Sequence, residues 1–447
     1  KTFVADVDSP RGLVVDGNTV YVLHPPHISA YTDTDGDGVS DEERILVKNV
    51  GWTFKDRPAD HGSNGLELGI DGWIYAAIGD FGFMEAEGAD GRKLQCHGGG
   101  VVCVRPEGTG LELYSFGTRN ILEAAMSPLV DGFARDNTND GGGWNIRFHH
   151  FTGGEDHGYP RLFKNFADEI VAPLADYGGG SGTGACWIED PAWPAAWNKR
   201  PYTVDWGREL IGAHTVVEQG ATFVEPNPPA DFARYTRPTD LDIDAQGRAY
   251  LGSWRNGGFT AGPTCGYILR VQPKGLKPAT LVDYAKTDAE QLIVELGSPA
   301  HRRRLAAQRE LVRRGVDAAG TNRLEAMAAD RAAPQESRVA ALFTLQLAAG
   351  TTARSGLVKL LDDPSIAAWA VRALADDDRR LSGVPTEPMV RLLASADART
   401  RREAARALER FGDTNVAGAL VPLLGDEDAV VRHTAVHALA KLRAAEP

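Results

Sequence analysis

The sequence is poor in sulfur and has no long apolar run. Its 447 residues hold four cysteines and four methionines. No Cys-x-x-Cys-His occurs, which excludes a c-type haem attached within the chain. No apolar stretch approaches the roughly 18 residues of a membrane span. A basic excess is missing too: 48 Lys/Arg stand against 61 Asp/Glu, a net of −13. That balance argues against nucleic acid as a partner and suits cations or neutral polar ligands. Cys96, Cys103, Cys186 and Cys265 allow three pairings and fix none. Their even number favours an exported protein, periplasmic or extracellular; four buried thiols are the alternative. The chain starts at Lys1 rather than methionine, so a signal peptide is expected to lie out of view.

What is present is divided unevenly. The length exceeds one ordinary core, so two or more domains are expected. Of 35 aromatic residues, only Tyr284, Phe343, Trp369 and Phe411 lie beyond residue 275, as do only nine of the 50 glycines. Beyond that point Lys/Arg and Asp/Glu nearly balance, 25 against 23, so the acidic excess belongs to the first part. The tail's charges read as solvated helix faces rather than a basic patch. The expected division is residues 1–275 and 276–447.

The first part repeats a phrase: an apolar stretch, an Asp-Gly type turn, then a strand opening on a β-branched or aromatic residue. Copies run through Asp16-Gly17, Asp71-Gly72, Asp131-Gly132 and Asp244-Ala245-Gln246-Gly247. Each reads as a hairpin whose turn needs a residue tolerant of positive φ. Hairpins recurring every 40–60 residues or so indicate an all-β propeller. About five blades are visible, and a six-bladed ring is expected with one more from divergent stretches. In the tail, Ala-x-x-x-Leu recurs with leucines Leu311, Leu345, Leu374, Leu408 and Leu439 spaced by 34, 29, 34 and 31 residues. Ala and Leu four apart share a helix face, and helix pairs at this period stack into an all-α solenoid. These repeats resemble HEAT repeats, whose expected use is as a scaffold or a surface for a protein partner.

Two stretches carry chemistry on their own residues. Asp33-Thr34-Asp35-Gly36-Asp37-Gly38-Val39-Ser40-Asp41 has carboxylates at positions 1, 3, 5 and 9 and glycine at 6, the spacing of a calcium loop. Position 12 is Arg44, and Glu43 is the expected substitute for the missing glutamate. The second stretch is Asp60-His61-Gly62-Ser63-Asn64-Gly65-Leu66, joined by an alternating run to Ile78-Gly79-Asp80-Phe81-Gly82. A histidine beside a carboxylate at the end of a strand suits proton abstraction, while a solvated surface histidine is the plain alternative. His149, His150 and His157 are read as polar loop residues in preference to a metal cluster. Trp187, Trp193, Trp197, Trp206 and Trp254 are either propeller core or stacking platforms for a sugar.

The Asp60–Gly82 segment resembles that of the soluble quinoprotein glucose dehydrogenases and sorbosone dehydrogenases, six-bladed propellers that bind pyrroloquinoline quinone (PQQ) and calcium. Phe116-Gly117-Thr118-Arg119-Asn120 is similar to their Gly-x-Arg-Asn turn. Asp136-Asn137-Thr138-Asn139-Asp140 falls where their calcium loop occurs, Asp156-His157-Gly158-Tyr159-Pro160 follows it, and Arg234-Tyr235-Thr236-Arg237 resembles the entry to their final blade. Over most of its length the chain resembles the large membrane-bound dehydrogenase-like proteins of planctomycetes and verrucomicrobia, in which such a propeller precedes HEAT repeats.

The resemblance implies oxidation of a sugar or polyol hydroxyl, with electrons passed to an acceptor such as a cytochrome c. His61 would be the base and Asp60 its orienting carboxylate. Arg119, Asn120, Arg234 and Arg237 would hold PQQ, calcium would sit near Thr138 and Asn139, and Tyr159 and Trp254 would meet substrate. Gly62 and Asn64 replace the family's Gln and Arg beside the histidine, Thr138-Asn139 replaces its Gly-Pro, and its cofactor lysine has no match. The rival readings are a calcium-stabilised propeller that binds carbohydrate or protein, and a calcium-dependent propeller hydrolase or lyase.

Overall fold

The Asp-Gly turns do close hairpins, and the hairpins stack side by side into blades. A computed structural model describes residues 1–139, 144–160, 166–254, 262 and 264–443. Five antiparallel sheets follow in chain order as blades, and a sixth, the ribbon Val217–Gln219/Thr222–Val224, falls between the third and fourth strands of the fourth. The first pairs Gly12–Asp16, Thr19–His24, His27–Thr32 and Glu42–Lys48, with the ribbon Phe83–Gly88/Lys93–Cys96 added at its outer edge. The second holds Ser63–Leu68, Ile74–Ile78, Gly99–Val104 and Glu112–Thr118; the third Ala125–Met126, Gly132–Asn139, Trp144–Phe151 and Ala175–Gly179. The fourth is Gly182–Ile188, Arg200–Asp205, Leu210–Ala213 and Ala230–Arg234, and the fifth Pro238–Ile243, Ala249–Trp254 and Gly266–Val271. Inner strands of consecutive blades pack on each other from the first blade to the fifth.

Five blades are present among the described residues, against the six expected. A cavity of about 960 Å³ lies where the first and fifth blades face each other, lined by Leu13, Val15, Asp242 and Ile243. Leu13 and Val15 on the innermost strand are 63% and 64% exposed, because no sheet among the described residues covers that face of the first blade.

Ten helices complete the described chain. They are α1 Ala289–Glu295, α2 His301–Arg314, α3 Ala318–Ala329, α4 Gln335–Ala349, α5 Arg354–Leu360, α6 Ala367–Ala375, α7 Glu387–Leu392, α8 Ala398–Phe411, α9 Ala417–Leu420 and α10 Ala429–Lys441. The acidic residues before several of them are N-caps. Asp397 accepts from Thr400 N–H, and Asp428 from Val430 and Val431 N–H, which satisfies donors that a helix start leaves open. The leucines of the repeat turn inward, Leu311, Leu345, Leu374 and Leu408 being buried. None of the helices is long and apolar enough to cross a membrane.

The tail's charges depart from expectation. Arg304, Arg372, Arg399 and Arg402 are buried, because the solenoid lies across one end of the propeller and inserts them into the blades. Arg309 Nε and Arg313 Nη2 reach Asp16 of the first Asp-Gly turn, each at 2.9 Å. Arg372 Nη2 meets Asp71 of the second at 2.9 Å, and Arg399 meets Asp131 of the third at 3.0 Å. Helix α2 spans the end of the ring. Its Arg304 pairs with Glu189 at 2.6 Å, its Gln308 donates to Ile70 O at 2.6 Å, and its Arg302 bridges Glu67 at 3.2 Å and Asp242. One apolar core runs from the first blades into the helices. The Asp-Gly turns are therefore the seats of the solenoid, and the opposite strand ends are left open for a site.

Candidate active site

The second blade pairs Ser63 with Ile78 and Leu68 with Ile74, so the chain before 63 and after 78 meets at the end remote from the solenoid. Gly79 N–H donates to Gly62 O at 2.8 Å, and Phe81 N–H to His61 O at 3.1 Å. A Cβ on Gly79 would stand 2.5 Å from the His61 carbonyl carbon, so only glycine permits this approach. His61 itself has φ +64°, a left-handed conformation uncommon for a side-chain-bearing residue and often held at functional positions.

This crossing sets His61 Nδ1 against Asp80 Oδ1 in a short hydrogen bond, while Nε2 faces Asp60 Oδ2 at 3.5 Å. The orienting carboxylate is thus Asp80. Asp60 is more than half exposed and is itself held by Asn120, whose Nδ2 donates to its Oδ1 at 2.8 Å. Strand pairing thus brings position 80 onto the Nδ1 edge and leaves Asp60 on the Nε2 side.

Arg119 and Asn120 follow the last strand of the second blade and join this group. Arg119 Nη1 donates to Asn137 Oδ1 at 2.8 Å, its backbone N–H donates to Asp136 Oδ2 at 3.0 Å, and its Nε lies 3.9 Å from Asp80. Asn120 is buried, and its Oδ1 has no hydrogen-bond partner among the described residues. Turning the amide over would set that oxygen against the Asp60 carboxylate, so Nδ2 is the atom that faces Asp60.

Beneath Arg119 lies a charged layer that spacing did not announce. Asp136 pairs with Arg147 at 2.6 Å and with His149 at 3.1 Å. Burial works against its charge, yet His149 and Arg147 prevail and hold the carboxyl well below its ordinary value. Burial lowers the pKa of His149 to about 4 despite Asp136, so it is neutral at pH 7. His149 and His157 touch at 3.2 Å through their Nδ1 atoms. His149 and His150 lie on a strand and His157 in the loop that follows, all three buried, and no metal-sized grouping includes them among the described residues.

The other expected residues divide. Arg237, at φ +46°, stacks over Trp206 at 4.0 Å, lies 3.8 Å from Glu209, and adjoins Trp254, whose ring is 6.3 Å from Trp206. Asn137 and Trp206 both reach Ser181, which ties this cluster to Arg119. Arg234 is a correction: it lies on the outermost strand of the fourth blade, exposed and paired with Asp231 at 2.6 Å, away from the site. Tyr159 donates its N–H to Gly117 O at 2.8 Å, beside the Arg119 turn. Thr138 and Asn139 stand in a strand ladder opposite Asn145 and Trp144 rather than in an open ligand loop; Thr138 Oγ1 donates to Asn145 O at 3.4 Å. Asp140 lies outside the described residues.

The acidic loop is at the solenoid end. Asp33, Asp35 and Asp37 converge, with ligand oxygens within 4.8 Å of one another, and Asp33 is shaped by Gly36 and Gly38 N–H groups at 2.7 and 2.8 Å. Asp41 and Glu43 do not join them, another correction. Asp41 accepts from Thr34 N and Oγ1, and Glu43 accepts from Tyr31 O–H at 3.0 Å. Cys96, Cys103 and Cys186 are free and buried, so the count of four gives no argument for an oxidising compartment.

A model of a domain of unknown function, DUF7133, matches residues 1–250, and a HEAT-repeat model matches residues 386–447. This chain belongs to the DUF7133 family. A search of curated proteins gives no match. Among solved structures, the PQQ-bound aldose sugar dehydrogenase of Streptomyces coelicolor is 15% identical, over 61% of this chain and 96% of its own, at a TM-score of 0.36. A glucose dehydrogenase is 15% identical over 59% and 83%, at 0.40. The helical half is similar to the CpcE–CpcF complex of phycocyanin lyase from Nostoc sp. PCC7120, 20% identical over 37% and 68%, at 0.28. What the DUF7133 propeller can do is decided by its own mouth: an imidazole braced by one carboxylate, a second carboxylate on its other edge, an anchored arginine and an orphaned amide oxygen.

Proposed function

We propose that the mouth of the DUF7133 propeller oxidises a hydroxyl of a sugar or polyol, with His61 as the general base. The observation that carries this reading is the His61–Asp80 hydrogen bond. A carboxylate on Nδ1 fixes the ring, leaves Nε2 to take a proton, and stabilises the imidazolium that results. The His61 side chain is 16% exposed, enough to meet a ligand at the mouth yet shielded from bulk water. Asp60, held by Asn120, faces the same Nε2 and is placed to accept a second hydroxyl of the substrate or to pass the proton to solvent.

Oxidation needs an acceptor for two electrons. The groups that would hold a planar, anionic quinone such as PQQ are Arg119 and Arg237, whose guanidinium forks match carboxylates, while Asn120 Oδ1, an acceptor, suits a substrate hydroxyl rather than the quinone oxygens. When bound, such a group accepts the hydride from the carbinol carbon. Asn137 holds Arg119 in place, and Trp206 and Trp254 supply apolar faces for a sugar ring. Calcium is proposed at Asp33, Asp35 and Asp37 as a fastener of the loop at the solenoid end; Thr138 and Asn139, paired in a ladder, do not fit a second ion.

The test is reconstitution with PQQ and calcium, followed by dye reduction in the presence of aldoses and polyols. Turnover supports the proposal. Product release from an oligosaccharide or lactone without an electron acceptor would replace it with a hydrolase or lyase, and sugar binding without chemistry would replace it with a binding module.

A further inference from the structure

We propose that the last solenoid helix fixes the Arg119–Asn120 turn of the mouth, and that His433 is its positioning residue. Helix α10 lies on the loop from Thr152 to Tyr159, where His433 Nε2 accepts the backbone N–H of Asp156 at 3.0 Å. His437, one turn later, packs on His433 at 4.4 Å and on Phe116 at 5.8 Å between ring centroids. A second tether comes from α8, whose Arg406 Nη1 donates to Thr152 O at 2.7 Å.

The held loop is in turn the clamp on the strand end that carries the site. Phe116 N–H donates to Glu155 O at 3.1 Å, His157 N–H to Phe116 O at 3.0 Å, and Tyr159 N–H to Gly117 O at 2.8 Å. Gly117, at φ +81°, is pressed so closely on Asp156 that no side chain fits between them. Arg119 and Asn120 follow two and three residues later. The same loop enters the layer beneath Arg119, since His157 touches His149, which holds Asp136, which accepts from Arg119 N–H. Two routes, one through backbone ladder bonds and one through buried side chains, thus run from α10 to a single turn. Irregular segments ordinarily open more readily than the strands they join, and 152–159 is irregular backbone although Thr152, Glu155 and His157 are buried. Here a side chain on a helix from the other half of the chain accepts a hydrogen bond from one of its amides, so the solenoid sets the order of the mouth. A partner that shifts α10 would alter the site without touching it.

His433 acts on a backbone donor through one acceptor atom, and this separates positioning from mere filling of space. His433→Gln keeps an acceptor of similar reach, whereas His433→Leu keeps bulk and loses the acceptor. Hydrogen–deuterium exchange on the full chain reads the outcome. In His433→Leu, amides of 116–120 and 156–159 are expected to exchange about five-fold faster or more, the worth of one buried hydrogen bond, while strand Ala249–Trp254 is unchanged. His433→Gln is expected to restore the wild-type rate. Equal exchange in all three proteins, or equal acceleration by both substitutions, overturns the inference. The consequence for chemistry rests on the oxidation reading, but the exchange experiment does not: a protein without turnover that still shows the Leu/Gln difference sinks only that reading.

Discussion

Replacing Arg372 by methionine should uncouple the two halves of the molecule and do so in a pH-dependent way. Arg372 Nη2 lies 2.9 Å from both Asp71 Oδ2 and Tyr75 O–H, and Nη1 lies 3.2 Å from Tyr114 O–H. Beside it, Arg105 and Trp73 Nε1 each reach Asp376 at 2.7 Å. All of these groups are buried, so removing one guanidinium leaves a carboxylate in the interior without its cation. Breaking one partner of such a pair costs about 3–5 kcal/mol, far more than an exposed pair is worth.

The pH dependence follows from Asp71. Burial raises its pKa, and Arg372 is the strongest influence holding it down. Without Arg372 the folded-state value climbs further above the unfolded one. A carboxyl raised in this way binds its proton more tightly when folded, so its contribution is full below the unfolded value and is lost as pH rises through the folded value. Urea unfolding followed by tryptophan fluorescence should therefore show Arg372→Met losing about 3–5 kcal/mol at pH 8 and clearly less at pH 5. The double variant Asp71→Asn/Arg372→Met should regain most of the loss, since both ends of the interaction are then neutral. A loss under about 1 kcal/mol at both pH values would refute the claim that this contact is a buried docking point.

Asp80→Asn should lower a reconstituted oxidation rate by about 10²–10⁴-fold with unchanged circular dichroism, the range a positioned base contributes, whereas Asp60→Asn should cost less because it does not brace the ring. Glu67, pushed up to about 7 chiefly by burial, adds stability that is full below about pH 4.5 and fades as pH rises through 7. Stability should accordingly fall by about 2 kcal/mol between pH 5 and 9, and Glu67→Gln should flatten that slope. Calcium at a hundred times its dissociation constant should raise stability by about 2.7 kcal/mol, measured by thermal unfolding with and without a chelator; Asp33→Asn should abolish the gain.

Much of this architecture is written in local signals. Asp-Gly turns at Asp16 and Asp71 announce hairpins because few other residue pairs tolerate the turn; at the third copy the hairpin forms although Val130, not Gly132, takes the positive φ. The leucines at Leu311, Leu345, Leu374 and Leu408 announce helix pairs because their faces must be buried. What those same aspartates bind is not local. Nothing near Asp71 in the sequence points to Arg372, some 300 residues away, so charges that looked solvated turn out to be the fastening between halves. His61, Asp60, Arg119 and Asn120 were legible as a group, and the structure brings them together. Asp80 was in view but its task was not, because strand register alone decides which carboxylate meets Nδ1. Arg234 failed for the converse reason: an arginine near the right turn stands on an outer strand, and only the order of strands in the blade shows it.

The most direct measurement is single-turnover reduction of PQQ, followed by absorbance, in calcium-loaded wild-type protein and in His61→Ala mixed with an excess of aldose or polyol. The wild-type protein should bind and reduce the quinone, and His61→Ala should bind it equally well yet reduce it at least about a hundred-fold more slowly. Equal reduction rates in the two proteins, or no binding of the quinone by either, would contradict a His61-centred oxidation site at the propeller mouth.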